Sequence, residues 1–404
     1  MSRPQVVLGV AGGIAAYKAV ELLRLLTESG HDVRVVPTAS ALAFVGAPTW
    51  AALSGSPVTA SAWEDAHEVP HVRVGQTADL VVVVPATADL LARAAHGLAD
   101  DLLTNTLLTA RCPVLLAPAM HTEMWEHPAT RANVALLRTR GVLVLEPAVG
   151  RLTGADSGRG RLPDPGEIAR ICRAVLARGV REPDLIGRRL LVSAGGTREH
   201  LDPVRFLGNR SSGKQGHALA RAAVARGAEV VLVTTSALPD PAGAKVLRVT
   251  SALELRDAVL EEAASADAVV MAAAVADHRP ALRLATKRKK AGTMSIDLVE
   301  NPDVLAELGQ LRREGQVLVG FAAETGDDDG SVLEHGRSKL ARKGCDLLVV
   351  NEVGERGHPT GFEGEDNAAV VLGSDGSATE VALASKDALA DAVWDLVVAR
   401  LPAR

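Results

Sequence analysis

The segment GNRSSGKQ at positions 208–215 has the residue types of a phosphate-binding turn. It matches the nucleotide-binding pattern G-x-x-x-x-G-K-[ST] except at the last position, where Gln215 replaces the hydroxyl that would bind magnesium. A P-loop also follows a strand directly, whereas the nearest run typical of a strand ends well before Gly208. The sequence therefore argues against a P-loop and leaves open what this turn binds.

Other side chains at the ends of apolar runs could also take part in chemistry. Thr38, Ser40 and Thr87 follow such runs, where a hydroxyl can receive a phosphate or, equally well, cap the next helix. His71, in VPHVRVGQTADL, is either a structural histidine or a base that titrates near neutral pH.

Two lysine groups lie in the second half of the chain. The run TKRKK at 286–290 is either a solvated loop or a source of positive charge for a polyphosphate. Lys339 and Lys343 are four residues apart and share one face if their segment is helical.

Composition limits the classes of function. The 404 residues exceed what one hydrophobic core usually serves, so two or three domains are expected. The net charge of −5 and the aromatic content of 2% disfavour nucleic-acid and anionic-membrane partners, and small-molecule partners are expected instead. Cys112, Cys172 and Cys345 are far apart, which predicts neither disulfides nor a zinc site and fits the cytoplasm. No secretory leader or membrane span is expected.

The elements that must position these residues alternate between strand and helix. QVVLGV at 5–10 is followed by Ala11-Gly12-Gly13 and a helix-periodic segment, and LLVSAGG at 190–196 repeats the strand and glycine turn. Runs such as DLVVVV at 79–84 predict buried strands of mainly parallel sheets with helices on both faces. We therefore predict two α/β domains, at 1–182 and 190–404, joined by a linker at 183–189. Neither glycine turn has the dinucleotide pattern G-x-G-x-x-G.

The first half resembles the FMN-dependent cysteine decarboxylases in VAGGIAAYK, PHVRV, PATADLLARAAHGLADDL and PAMHTEMW. The resemblance implies a flavodoxin-like fold and makes His71 the base that removes a proton while flavin oxidises the cysteine side chain of the substrate, which then loses CO₂. It implies a substrate clamp that includes Met120, His121 and Met124. It also implies an FMN site formed by Gly12, Gly13, Ile14, Thr38, Ser40, Pro85, Ala86 and Thr87.

Two positions depart from this family's pattern. His121 stands where an asparagine is usual, and it can still bind a substrate carboxylate. Gly154, in the lid GRLTGADSGRGRLP, stands where a cysteine usually donates a proton, so Thr153, Asp156, His121 or a water is left as the donor. An enzyme that only oxidises and decarboxylates, stopping at the enethiol, is therefore an alternative.

The second half resembles phosphopantothenate–cysteine ligase over essentially its whole length. The motifs are SAGGTREHLDPVRFLGNRSSGKQG, MAAAVADHRP, TKRKK, ENPDVLAEL, GFAAET and KLARKG. The resemblance implies a Rossmann-like fold and makes Asn209 the contact to an activated acyl intermediate. It assigns Ser211, Ser212 and Gly213 to the phosphate of 4′-phosphopantothenate, with Arg205 and Arg210 as possible helpers.

The resemblance also implies CTP as the activating nucleotide, with Mg²⁺ on its triphosphate and metal ligands that the sequence leaves unknown. It makes TKRKK a mobile lid with Lys287 on the triphosphate. The implied CTP ligands are Ala272, Ala273, Asp277, Lys287, Lys289, Pro302, Asp303, Val304, Leu305, Phe321, Lys339 and Lys343. The acidic segment ETGDDDGS at 324–331 is assigned no metal.

Together the halves resemble the family of bifunctional coenzyme A biosynthesis proteins. This implies ligation of 4′-phosphopantothenate with cysteine in the second half, through an acyl-cytidylate, and then decarboxylation of 4′-phosphopantothenoylcysteine to 4′-phosphopantetheine in the first. It also implies a homo-oligomer with trimeric decarboxylase and dimeric ligase contacts, such as a dodecamer. A flavin-binding regulatory protein is the alternative from another class, and the presence of His71 argues against it.

Overall fold

The computed structural model of the chain describes residues 3–58, 70–152, 156–179, 183–287, 289, 295–324, 331–352 and 364–403. For Pro70, His71, Glu324 and Glu352 it describes the backbone alone. The chain divides into two compact units: the first contains Met1–Gly187 with Val224–Ala228 and Pro241–Ala244, and the second contains the remaining residues. None of the helices in the described ranges has the length and apolar character needed to cross a membrane.

The N-terminal unit is an α/β structure on a parallel sheet. Its strands are β1 (Gln5–Val10), β2 (Asp32–Pro37), β3 (Leu80–Ala86), β4 (Val114–Pro118), β5 (Leu143–Val144), β6 (Ala148–Arg151) and β7 (Ser157–Arg161). Its helices are α1 (Ala16–Glu28), α2 (Ala47–Ser54), α3 (Pro70–Thr77), α4 (Ala88–His96), α5 (Leu102–Thr109), α6 (Thr122–Glu126), α7 (Pro128–Thr139) and α8 (Pro165–Arg178), with a 3₁₀ turn at Ala41–Ala43.

The strand order β2-β1-β3-β4-β5, with every pairing parallel, is that of the flavodoxin-like fold, as predicted. Every residue of β3 is buried, which explains why its valines do not alternate with polar residues. The antiparallel hairpin of β6 and β7 lies apart from this sheet and holds the segment that the sequence predicts to be a lid.

The C-terminal unit contains the larger sheet. Its strands are β8 (Arg189–Ala194), β9 (Glu199–His200), β10 (Phe206–Leu207), β11 (Glu229–Thr234), β12 (Ala244–Arg248), β13 (Ala268–Met271), β14 (His278–Pro280), β15 (Leu298–Glu300), β16 (Val317–Glu324), β17 (Leu347–Glu352), β18 (Asp366–Gly373) and β19 (Ala378–Ser385). Its helices are α9 (Lys214–Ala225), α10 (Ala252–Ala263), α11 (Val304–Leu311), α12 (Val332–Lys343) and α13 (Lys386–Val398).

The sheet runs β12-β11-β8-β13-β16-β17-β18-β19. Counted along the chain, the first six of these strands follow the order 3-2-1-4-5-6 of the Rossmann fold, so this prediction is also confirmed. The strands from β11 to β17 are parallel, whereas β18 and β19 form an antiparallel hairpin at the edge that the sequence analysis did not predict. Its turn contains Asp375-Gly376, with Gly376 at φ 84°, a known hairpin signal.

Candidate functional site

In the N-terminal unit, the glycine turn after β1 lies against the loop after β2. A Cβ atom on Gly12 would stand 2.4 Å from Ser40 Oγ, so glycine is required for this approach. The hydroxyls of Thr38 and Ser40 are 3.1 Å apart, and Thr38 Oγ1 accepts a hydrogen bond from the Ala41 N–H at 3.2 Å. The structure thus brings the glycine turn and two predicted hydroxyls together at the carboxyl edge of the sheet.

The loop after β3 joins the same edge. The Ala11 N–H donates to the carbonyl of Pro85 at 3.2 Å, and a Cβ on Gly13 would meet Thr87 Cγ2 at an ordinary 3.7 Å. Thr87 caps α4 by accepting from the Leu90 N–H, so its hydroxyl also has the helix-capping role that the sequence left open. The glycine turn after β1 is thus in contact with the loop after β3, and a methyl group at Gly13 would not clash with its own chain.

The predicted substrate clamp lies under the hairpin. The Met120 N–H donates to the carbonyl of Gly160 on β7 at 2.9 Å, and a Cβ on Gly160 would stand 2.1 Å from the Met120 carbonyl oxygen. His121 and Met124 are exposed, while Trp125 is fully buried and anchors α6. The lid strands thus pack directly on the clamp backbone.

The predicted base and the predicted lid position are described only in part. His71 lies in the first turn of α3, and its side chain is outside the described atoms. Thr153 and Gly154 lie outside the described residues, whereas Asp156 is exposed, with its carbonyl accepting from the Leu152 N–H at 2.8 Å. The sequence left four candidates for the proton donor. Of these, the structure describes His121 and Asp156.

In the C-terminal unit, a cleft of about 720 Å³ opens at the carboxyl ends of the parallel strands. It is lined by residues from the loop before α9, the segment after β13, the start of α11, β16 and α12. The predicted residues among them are Asn209, Arg210, Ser211, Ser212, Gly213, Ala272, Ala273, Asp277, Pro302, Asp303, Val304, Leu305, Phe321, Lys339 and Lys343. Segments spread over more than a hundred residues of sequence therefore meet in one cavity.

The loop that carries GNRSSGKQ is held tightly against the turn after β8. A Cβ on Gly196 would stand 2.5 Å from the Asn209 carbonyl oxygen, and Gly213 has φ 82°, in the left-handed region. The Asn209 amide donates to the Val275 carbonyl at 3.1 Å, and Ser236 Oγ donates to the Ser212 carbonyl at 2.7 Å. The N-terminus of α9, with its N–H groups, is thereby fixed at the cleft wall.

An ion pair joins two of the predicted CTP ligands. The Lys343 ammonium hydrogen-bonds Asp303, whose other carboxylate oxygen caps α11 through the Ala306 N–H at 3.1 Å. Burial alone would raise the pKa of Asp303, but the Lys343 ammonium and the Ala306 N–H outweigh it and hold the pKa below its ordinary value. Lys339 and Lys343 both lie on α12, so the condition under which they share one helix face is met.

Three predicted ligands are not among the residues that line this cleft. Lys287 and Lys289 are exposed on a segment whose neighbours at 288 and 290–294 lie outside the described residues. Arg205 binds the buried Asp202 instead, with its Nε donating to Asp202 Oδ2 at 2.9 Å.

The cleft also contains polar residues that the sequence analysis did not assign. Asn351, Asn367 and Lys386 line it and are each at least nine-tenths buried, and Lys214 lines it at the start of α9. Asn351 could have been found, because it lies near the carboxyl end of the apolar strand β17. Nothing in the sequence around Lys386 indicates that its side chain is buried.

Within the described ranges, no three His, Cys, Asp or Glu side chains cluster as ligands for a metal ion. The His and acidic residues that line the cleft are Asp277, His278, Glu300 and Asp303, and Asp303 already binds Lys343.

Comparison with known proteins covers both units. The Flavoprotein family matches residues 1–177, and the DNA/pantothenate metabolism flavoprotein C-terminal domain matches residues 185–401. The coenzyme A biosynthesis bifunctional protein CoaBC of Mycolicibacterium smegmatis is 58% identical over 410 residues, covering 99% of this chain and 98% of the relative. The protein of the same name from Vibrio cholerae is 43% identical, with 97% of each chain covered.

A crystal structure of the C-terminal domain of a coenzyme A biosynthesis bifunctional protein is also similar. It is 34% identical, has a TM-score of 0.45, and covers 54% of this chain and 97% of its own. The similarity to the curated relatives therefore spans both units, and each unit has its own family match.

Proposed function

We propose that this chain, which belongs to the family of bifunctional coenzyme A biosynthesis proteins, couples 4′-phosphopantothenate to cysteine in its C-terminal unit and decarboxylates the product in its N-terminal unit. It is a flavoprotein and an enzyme with phosphopantothenate–cysteine ligase and phosphopantothenoylcysteine decarboxylase activities. The family assignment favours this reading over an enzyme that stops at the enethiol and over a regulatory protein. The observation that supports the details is the cleft, which is lined by all the predicted ligase residues except Arg205, Lys287 and Lys289.

For the ligase, we propose that the carboxylate of 4′-phosphopantothenate attacks the α-phosphorus of CTP. Pyrophosphate leaves, and the amine of cysteine then displaces CMP from the acyl-cytidylate to form the amide. Asn209 would hold the acyl intermediate, since its side chain lies at the cleft wall against Val275. Ser211, Ser212 and the N–H of Gly213 would bind the phosphate of phosphopantothenate.

The triphosphate requires positive charge where negative charge develops. Lys339 and Lys343 would supply it from α12, and Lys343 must then exchange Asp303 for a phosphate oxygen. Lys287 and Lys289 would join from their own segment. Asp277, Pro302 and Phe321 would contact the nucleoside, together with Ala272, Ala273, Val304 and Leu305. We propose that Mg²⁺ binds together with CTP. Substrate binding by Arg205 stays a prediction.

For the decarboxylase, we propose FMN as the flavin. The glycine turn fits it, because Gly12 and Gly13 lie just before α1, with Ser40 and Thr87 beside them and the Thr38 hydroxyl next to that of Ser40. Ile14, Pro85 and Ala86 would line the same site. When bound, FMN supplies the oxidation and later reduction of the substrate's side chain.

His71 would remove the proton from the cysteine side chain, and Met120, His121 and Met124 would orient the substrate under the hairpin. The exposed His121 would hold the substrate carboxylate before it leaves as CO₂. The domain boundaries 1–182, 183–189 and 190–404, a homo-oligomer such as a dodecamer, and a cytoplasmic location remain parts of this proposal.

The test is product analysis by mass spectrometry. The purified yellow protein is incubated with 4′-phosphopantothenate, cysteine, magnesium and either CTP or ATP. We expect CMP, pyrophosphate, CO₂ and 4′-phosphopantetheine with CTP, and much less with ATP. Accumulation of phosphopantothenoylcysteine or of an enethiol would contradict the account of the N-terminal unit. Absence of coupling with either nucleotide would contradict the account of the cleft.

A further inference from the structure

Two buried side chains hold the loop before α9, which forms part of the wall of the ligase cleft. His217, in the first turn of α9, is 1% exposed, and its Nδ1 donates to the Gly213 carbonyl at 3.0 Å. Ser236, in the turn after β11, is 8% exposed, and its Oγ donates to the Ser212 carbonyl at 2.7 Å. Ser212 and Gly213 line the cleft, whereas His217 and Ser236 do not. The two side chains would therefore act on a ligand in the cleft through the loop.

The two bonded carbonyls belong to consecutive peptide groups on either side of Gly213. In a planar trans peptide, the C=O of one residue and the N–H of the next point in opposite directions. Fixing the Ser212 carbonyl therefore also fixes the direction of the Gly213 N–H. Fixing the Gly213 carbonyl does the same for the Lys214 N–H, which lies 3.4 Å from Ser212 Oγ and donates to it. The Gly213 N–H and the Ser212 hydroxyl, both proposed to bind phosphate, are thus oriented by Ser236 and His217.

The hydrogen bond made by His217 has one arrangement of the proton. Burial lowers the pKa of His217 to about 4, and Arg221 and Arg248 lower it further, while the Gly213 carbonyl and Asp240 act in the opposite direction. The imidazole is therefore neutral near neutral pH, and its one N–H is on Nδ1, because a carbonyl can only accept a hydrogen bond. The loop is thus held by a directional hydrogen bond rather than by a charge.

Ser236 is itself fixed by several bonds. Its Oγ accepts from the Leu238 N–H at 3.3 Å, its own N–H donates to Thr234 Oγ1 at 3.0 Å, and Arg248 donates to its carbonyl. A Cβ on Gly213 would stand 2.6 Å from Ser236 Cβ, and Gly213 has φ 82°, in the left-handed region that favours glycine. The turn after β11 therefore packs directly against the loop, and a change in one should alter the other.

We propose that His217 and Ser236 are positioning residues of the ligase, which hold the Ser212 hydroxyl and the Gly213 N–H in the direction that binds a phosphate group of a substrate. The inference deepens the proposed ligase function and rests on it for the identity of the ligands. Two sources share the chemistry: the 4′-phosphate of phosphopantothenate and the triphosphate of CTP.

The test removes each bond separately. His217→Leu and Ser236→Ala each lack one donor, whereas His217→Asn keeps an N–H donor near the position of Nδ1. Gln316→Leu is the matched control, because the buried Gln316 side chain also donates to backbone carbonyls, those of Ala263 and Ala266 at 2.8 and 2.7 Å, and does not line the cleft. Dissociation constants for CTP and 4′-phosphopantothenate are measured by calorimetry, and KM and kcat by pyrophosphate release. Thermal unfolding shows whether each variant is folded at the assay temperature.

We expect His217→Leu and Ser236→Ala to weaken the same substrate by about tenfold each, since a donor that points in the wrong direction loses much of a charge-assisted hydrogen bond. The affected substrate identifies the source of the phosphate. If it is phosphopantothenate, KM should rise with little change in kcat, because the 4′-phosphate is remote from the reacting carboxylate. If it is CTP, kcat should fall as well, because the triphosphate contains the reacting phosphorus.

The remaining variants separate positioning from general stability. His217→Asn should restore most of the affinity, and Gln316→Leu should leave both affinities unchanged although it lowers the unfolding temperature. Unchanged affinities for both substrates in folded His217→Leu would overturn the role of His217, and the same result in Ser236→Ala would overturn that of Ser236. Equal losses in Gln316→Leu would overturn both. If His217→Leu does not fold, the inference stands or falls with Ser236→Ala.

The proposed function is judged separately, by whether the wild-type protein couples cysteine to phosphopantothenate. If it does not, binding of inorganic pyrophosphate to wild type and Ser236→Ala still tests the loop. A tenfold loss in the variant would support the inference. Equal affinities, or no binding to the wild-type protein, would count against it.

Discussion

The two units place their candidate sites at the same position in related sheets but form them from different side chains. In the N-terminal unit, the residues assigned to the flavin are glycines, hydroxyls and apolar groups, and none carries a formal charge. In the C-terminal unit, the loop before α9 faces a cleft lined by four lysines: Lys214, Lys339, Lys343 and Lys386.

The difference corresponds to what each site must do. A flavin phosphate that stays bound can be satisfied by N–H groups and hydroxyls at a helix start, which need not move. A triphosphate that binds, reacts and leaves requires concentrated positive charge that can change partners. Lys343 is an example, since its ammonium is bonded to Asp303 and could move to a phosphate oxygen. One sheet edge thus supports both chemistries because its loops, rather than its strands, carry the site.

Removing the proposed base, His71, should have the largest effect, because it should stop the activity of one unit and leave that of the other unchanged. We expect His71→Asn to lower decarboxylation by about a hundred- to ten-thousandfold, since asparagine keeps a similar shape but cannot take the proton. Ligation should be unchanged, so phosphopantothenoylcysteine should accumulate, as measured by mass spectrometry with CTP present. His127→Asn, which alters a helix cap elsewhere in the same unit, is the control. Decarboxylation that survived in His71→Asn would show that another group is the base.

We expect acid to destabilise the loop before α9, in the ligase cleft, before it weakens flavin binding at the glycine turn after β1. His217 is buried and its Nδ1 donates to the Gly213 carbonyl at 3.0 Å, while its Nε2 has no hydrogen-bond partner among the described residues. Burial lowers the pKa of His217 to about 4 from 6.5, so the folded state keeps it neutral while the unfolded state takes up a proton below pH 6.5. This contribution is present above pH 6.5 and is lost as the pH falls to about 4, with a magnitude of about 3 kcal/mol.

The measurement is hydrogen exchange of α9 peptides between pH 7 and pH 4, corrected for the intrinsic pH dependence, alongside flavin retention. Protection of α9 should fall in wild type and fall less in His217→Gln, whose side chain does not titrate. Flavin should stay bound over the upper part of this range, because Thr38 and Ser40 do not titrate there. Equal losses in both variants would remove His217 from the explanation.

Much of this comparison could be predicted from the sequence, because strand, glycine turn and helix recur in order. The buried runs predicted the parallel strands, and the resemblance to the ligases, rather than the strand ends alone, supplied the predicted residues that line the cleft. The hairpin of β18 and β19 was not predicted although Asp375-Gly376 signals it, because two consecutive antiparallel strands break the alternation of strand and helix that ends at β17.

The sequence could not reveal what distant packing creates. Lys386 lies at the cleft because α13 packs against α9, through a contact between residues 171 positions apart. Nothing local distinguishes it from a solvated lysine at a helix start. Arg205 shows the reverse: its sequence position next to the glycine turn suggested the cleft, but the buried carboxylate of Asp202 holds its guanidinium elsewhere.

The proposed contact between flavin and the glycine turn after β1 can be tested by adding a single methyl group at Gly13. We expect Gly13→Ala to weaken flavin binding by about ten- to a hundredfold, because a Cβ there meets its own chain only at 3.7 Å and would project into the proposed ligand space. Bound flavin is measured by absorbance after dialysis, and unfolding midpoints show whether the apoprotein is intact. Gly46→Ala is the control, since its added Cβ would also make an ordinary contact, at 3.5 Å from Pro48 Cδ. Full flavin content in Gly13→Ala would show that the turn does not contact the ligand.

The smallest effect is expected for CTP binding in the C-terminal cleft, because several cations would contribute to it. We expect Lys343→Met to raise the Kd for CTP by about tenfold, as one charge-assisted hydrogen bond is lost while Lys339 remains. Without the ammonium, the pKa of Asp303 should rise, so acid sensitivity of the α11 cap should extend to higher pH. Asp303→Asn separates the two effects: if Asp303 serves only to hold Lys343, freeing the lysine should leave CTP affinity equal or higher. If instead Asp303→Asn weakened CTP as much as Lys343→Met, the aspartate itself would be a ligand of the nucleotide, and the lysines would not be the only residues that set affinity at this site.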